Sequence, residues 1–254
     1  MSGSLPRLPP SAASLGPALR GGDVARAILL GLALFGIAFL VLRELAAGVT
    51  TVGTRINYLL AYFAAWCFSW LAAIWFVFVR GRGMSFADLG YTIPPRLWAA
   101  RGVMFAFGAL PIAYALLALL RPLLDIKTGA SLQQYFGGPD FTLIHAAAVL
   151  LYGGFLVPLA EELLFRGLIF RWLRQRLDFW PAAVISAGAF GLAHIRFDQM
   201  VIAGLLGLPL AWLYEKSHSL APAILMHQTY NSLVLMLTFA VVWLPPGGGW
   251  YPVS

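Results

Sequence analysis

The sequence predicts an all-α, polytopic integral membrane protein of about seven transmembrane helices, with six to eight as the range. Composition is the first reason. Of the 254 residues 61% are apolar and 11% charged, where a soluble domain carries roughly 45–50% and about 25%. The second reason is the recurrence of apolar stretches long enough to cross a hydrocarbon core of about 30 Å at 1.5 Å per residue. The third is that the basic residues, fifteen of seventeen of them Arg, are scattered near the ends of these stretches. They form no single stripe, so the net charge of +7 is no nucleic-acid footprint.

Residues 1–23, rich in Pro, Ser, Gly and Ala, read as a disordered tail without a secretory apolar core. Residues 24–140 hold three spans: Val24 to about Leu42, about Ile56 to Val79 and about Leu97 to Leu120. The connection between the second and third holds Gly81, Gly83, Asp88, Pro94 and Pro95, all helix-stop signals. From Phe141 to Leu173 the apolar pattern is broken by few polar residues. As one helix it would be roughly 50 Å long, and Pro158 is expected to bend or split it. Three shorter stretches follow, at about Ala182–Ile195, Val201–Tyr214 and Leu220–Leu244, before a C-terminal tail from residue 245. The positive-inside rule orients the chain: twelve basic residues fall on the side of the N-terminus and five on the other. This places the N-terminus in the cytoplasm. The preference for Arg over Lys and the abundance of Ala suggest a bacterial plasma (inner) membrane.

An ionisable residue inside a span costs roughly 2.5–3.5 kcal/mol on insertion scales, so each is a functional candidate. All six Asp residues lie in tails or connections, which argues against an aspartyl pair. The Ser186 segment lacks a nucleophile elbow, and no His-Glu-x-x-His occurs. The single cysteine, Cys67, gives no disulfide or zinc-ribbon spacing. Glu161, Glu162, Arg166, His194, His227 and Asn231 remain. On a helix Arg166 lies about 40° from Glu162 but about 140° from Glu161. Glu162 and Arg166 therefore pair in the favourable acid-first order, leaving Glu161 free. His227 and Asn231 are one turn apart and face the same way. His145 and His218 have ordinary readings near helix ends.

A free carboxylate, two imidazoles and a carboxamide suit a hydrolytic site without a covalent nucleophile. A carboxylate among apolar residues can take a proton from water near neutral pH, and His and Asn donors can hold an oxyanion. The same groups are also of metal-ligand type. Spacing leaves both routes open.

The ordered segments Glu161-Glu162-Leu163-Leu164-Phe165-Arg166, Phe190-Gly191-Leu192-Ala193-His194 and His227-Gln228-Thr229-Tyr230-Asn231 resemble the EExxxR, FxxxH and HxxxN motifs of the CPBP (CAAX protease and bacteriocin-processing, Abi) family of intramembrane proteases. The resemblance covers about Phe141 to Val242, with Ser217-His218-Ser219-Leu220 included; residues 1–140 carry no motif. It implies helices around an intramembrane cavity, with residues 141–244 as catalytic core. It also implies that Glu161 and His194 activate water, that His227 and Asn231 form an oxyanion hole, and that Glu162 and Arg166 hold the site's shape. No third ligand motif completes a zinc site, so the preferred route needs no cofactor; a divalent cation such as zinc is the alternative. The expected partners are the lipid bilayer and a membrane-associated peptide or protein substrate. The competing reading is a non-enzymatic scaffold, immunity or transport protein, and transport would want polar groups spread along several spans.

Overall fold

A computed structural model of the chain describes residues 15–47, 52–123, 136, 141–194 and 196–243. It is all-α and polytopic in character. The described residues form seven helical rods, six of them long and apolar enough to cross a membrane. They are α1 (Gly21–Ala46), α2 (Val52–Ile74, prolonged by a π-helical turn Trp75–Arg80) and α3 (Arg96–Leu123). Then come α4 (Leu143–Arg174), α5 (Phe179–Leu192), α6 (Phe197–Ser217) and α7 (Ala221–Trp243). The rods pair as α1 with α2, α3 with α7 and α5 with α6, while α4 touches α2, α5, α6 and α7. The outward faces are apolar, as lipid contact demands: Ile37, Met104, Trp180 and Val241 are all exposed.

The described part of the segment predicted as tail is anchored to the helices. Residues 1–14 lie outside the described residues, but Leu15 and Leu19 are buried and α1 begins at Gly21. Polar bonds hold this strap: Gln175 Oε1 accepts from the Leu19 N–H at 2.9 Å, and Arg171 donates to the Pro17 carbonyl. Asp23 is buried too, its carboxylate taking Arg82 Nε–H at 2.7 Å. The C-terminal tail lies outside the described residues.

Helix α4 answers the expectation at Pro158 in a different way. It runs unbroken for 32 residues. The accommodation is a change of pitch: Leu150–Leu156 and Leu163–Phe170 are π-helical, and Pro158 falls in the first turn of the α-helical stretch Val157–Glu162 between them. Widening the ladder ahead of a proline relieves its crowding against the preceding turn.

The stretch expected at Val201–Tyr214 extends to 21 residues. Asp198 in its first turn complements the helix dipole, and His218, in the left-handed conformation at φ 54°, closes it. Helix α5 stays at 14 residues, about 21 Å, which falls short of a hydrocarbon core.

The loop joining α2 to α3 is built on Ser85 and Asp88. The Ser85 N–H and Oγ–H both donate to Asp88 Oδ2, at 2.8 and 2.7 Å. These bonds, the backbone one first, hold the Asp88 carboxyl below its usual range. The same loop docks against the start of α7, where Leu220 N–H donates to the Gly90 carbonyl at 2.8 Å and Ser219 Oγ–H to that of Thr92 at 2.6 Å. This fixes where α7, and so His227, begins.

Candidate active site

Glu161 and Glu162 lie at the last α-helical turn before the second π segment of α4, and both are buried. π-Helical turns inside α-helices recur at functional sites because the wider turn redirects neighbouring side chains. The pairing expected from helix angles is present: Arg166 Nη1–H donates to Glu162 Oε1 at 2.9 Å, and both side chains are 0% exposed. The Arg166 guanidinium also lies over the Phe190 ring of α5, 4.5 Å from its centroid. It is thus held by a charge on one side and a π-face on the other. Its Nη2 points towards Gly207 of α6, where a Cβ would come within 3.2 Å of it and within 2.6 Å of the Ala187 Cβ. Only hydrogen at position 207 lets α5 and α6 close over this cation.

His227 comes from α7 and joins the two glutamates. Its Nδ1 is 2.8 Å from Glu162 Oε1, and its Nε2 is 3.7 Å from Glu161 Oε2. Because Glu162 faces Arg166, it is an acceptor, so His227 Nδ1 carries the donating proton. The ring is thereby fixed with Nε2 towards Glu161. The other oxygen of Glu161, Oε1, accepts from Trp66 Nε1–H of α2 at 3.2 Å.

His194 lies two residues beyond α5, half-buried, and its Nδ1–H donates to the Phe190 carbonyl at 2.9 Å. The neutral ring must then present Nε2 as an acceptor. Phe190 is the shared wall: its ring meets His194 edge-on at 5.1 Å and His227 at 5.5 Å. Asn231, one turn after His227, is half-buried and donates one amide N–H to the Gly153 carbonyl in the first π segment of α4, at 3.1 Å. Its carboxamide carries a second N–H.

Five of the six residues singled out from sequence are therefore tied to one another or to α4 and its covering ring: Glu161, Glu162, Arg166, His227 and Asn231. His194 reaches the cluster through Phe190. Trp66 was missed. Nothing in its sequence neighbourhood marks it, because an indole in an apolar run is ordinary; only the partner at position 161 distinguishes it.

Among the described residues no three His, Cys, Asp or Glu side chains are grouped to hold a metal ion.

Residues 143–233 match the family model described as Type II CAAX prenyl endopeptidase Rce1-like. The matched segment spans α4 to the middle of α7 and contains all six residues named from sequence. A protein of Bacillus subtilis (strain 168) named "Putative membrane peptidase YdiL" is 29% identical over 80 residues, 32% of this chain and 33% of that protein. The UPF0177 protein YxdF of Lactococcus lactis subsp. lactis (strain IL1403) is 33% identical over 79 residues, 31% of this chain and 43% of that one. The chain thus spans a third to less than half of the length of these curated relatives. No solved structure matches it. The six helices long and apolar enough to cross a membrane support a multi-pass integral membrane protein.

Proposed function

We propose that the chain is an intramembrane endopeptidase that hydrolyses a peptide bond of a membrane-associated peptide or protein, using water activated by Glu161 and His194. The observation that carries this is the separation of two adjacent buried carboxylates into different environments. Glu162 is neutralised by Arg166 at 2.9 Å, while the partners of Glu161 are a neutral indole N–H and an imidazole nitrogen 3.7 Å away. Two adjacent glutamates with such different surroundings are suited to different tasks.

Glu161 takes a proton from water as the oxygen adds to the scissile carbonyl carbon, with His194 Nε2 available to orient that water. The carbonyl oxygen becomes an oxyanion. Asn231 Nδ2–H, and His227 Nε2–H when the ring is doubly protonated, are the donors to hold it. Collapse of the intermediate breaks the C–N bond, and the proton held by Glu161 goes to the leaving amine. Glu162 and Arg166 keep His227 and Glu161 in register. The substrate reaches these groups among apolar rods, which favours peptides or proteins already in the bilayer. Bacterial precursors or signal-like segments fit this better than prenylated proteins.

Comparative peptidomics of cells carrying the wild type or Glu161→Gln tests the reading. The expected result is a set of product peptides lost in Glu161→Gln while the protein still inserts; products undiminished in that variant would refute it. Cleavage by the purified wild type should persist in a chelator. Loss on chelation with recovery on adding zinc would overturn the metal-free route.

A further inference from the structure

Helices α1 and α2 lie outside the segment that carries the motifs, and their spans are almost free of ionisable side chains. Yet α2 makes one direct polar contact with the site. Trp66 Nε1–H donates to Glu161 Oε1 at 3.2 Å. An indole N–H is a donor only and has no proton to exchange in this pH range. It can hold a carboxylate oxygen without competing for the proton that the carboxylate is to take. The two oxygens of Glu161 become unequal: Oε1 is tied to Trp66, and Oε2 is the one that faces His227 Nε2.

The indole is itself held from α1. Phe35 meets the Trp66 ring edge-on at 4.9 Å and 89°, and Trp70, one turn further on, meets it at 5.5 Å. Trp70 in turn presses on Gly31 of α1, where a Cβ would come within 2.3 Å of the ring. Trp70 also supplies an internal comparison. Its Nε1 is buried and has no hydrogen-bond partner among the described residues, so ring packing in this column does not require the N–H.

We propose that Trp66 is a positioning residue for Glu161, so that the α1–α2 pair belongs to the working unit although no motif marks it. This rests on the reading of Glu161 as the group that activates water. Fixing one oxygen leaves the other with a single orientation towards the attacking water. Loss of one hydrogen bond to a carboxylate should lower turnover on the order of ten- to hundredfold.

The test uses the full chain in nanodiscs, with indole nitrogens labelled with ¹⁵N. The Trp66 N–H resonance, assigned by its disappearance in Trp66→Phe or, where that variant does not insert, in Trp66→Tyr, is expected to move in Glu161→Gln. An unmoved resonance overturns the proposal without any substrate. For kinetics the probe is a synthetic peptide spanning a cleavage site whose product depends on Glu161. Trp66→Phe should lower kcat ten- to hundredfold with KM unchanged, while Trp70→Phe keeps the wild-type rate. Wild-type turnover by Trp66→Phe, with Glu161→Gln inactive, overturns the role of Trp66 alone. Wild-type turnover by Glu161→Gln overturns the parent reading instead.

Discussion

Arg166 and Glu162 are fully buried charges, and Arg166 Nε and Nη2 have no hydrogen-bond partner among the described residues. Such a pair is weak evidence for stability, because desolvation offsets much of the Coulomb attraction. Removing one partner is another matter, since it strands the other charge. Arg166→Met is therefore expected to destabilise the protein by about 3–5 kcal/mol, read as thermal unfolding in detergent. The double change Glu162→Met with Arg166→Met should recover much of that loss while remaining unable to cleave. Equal stability for wild type and Arg166→Met would remove the ion pair from this account. At this scale the sequence was legible where partners are close along the chain: Glu162 and Arg166 are four residues apart on one helix. It was silent on His227 with Glu162, 65 residues apart, and on Trp66 with Glu161, 95 apart. Helical periodicity relates neighbours on one rod, and these pairs sit on different rods.

The elements close on the site through backbone contact as much as through side chains. At Gly207 two effects oppose each other. Gly→Ala inside a helix stabilises by about 1 kcal/mol through propensity, but here the added Cβ would stand 2.6 Å from the Ala187 Cβ. Overpacking of that kind costs about 1–3 kcal/mol. Gly207→Ala should therefore lower the unfolding temperature and separate α5 from α6. Gly188→Ala on α5, where a Cβ would meet nothing within 4 Å, should leave the temperature level or raise it. A stabilised Gly207→Ala would show that the close approach is not maintained. Helix α4 carries the same lesson. Its apolar pattern announced a long helix, but the switch to π pitch on either side of Pro158 has no signature in composition.

For the whole molecule, orientation in the membrane is the property most open to test. The excess of Arg on the N-terminal side predicts that the loop between α2 and α3 faces the cytoplasm. Ile93 in that loop is 99% exposed, and the native Cys67 is buried. In an Ile93→Cys variant of a bacterial host, an impermeant maleimide should label the new thiol only after the membrane is opened. Labelling of intact spheroplasts would reverse the topology. The buried strap from Leu15 to Leu19 belongs to this scale as well. Its Gly and Pro content looks like a free tail, yet Leu15 and Leu19 fill space beside Tyr214 and Gln175 that the helices leave open.

The sequence by itself determined the medium, the helical class and the six polar residues around which a site could form. Each follows from local rules: hydrocarbon admits only backbone that satisfies its own hydrogen bonds, and a polar group within a span is costly enough to stand out. The tertiary structure alone decided which oxygen of Glu161 faces an imidazole, which glutamate holds His227, and that a tryptophan from a span without motifs reaches the site. Those contacts join residues 65 to 95 positions apart, and their distances are set by how close the rods can approach, as at Gly153 and Gly154 of α4, where a Cβ would stand 3.3 Å from Phe63 of α2 and 2.7 Å from Ser232 of α7, and not by any pattern along one helix.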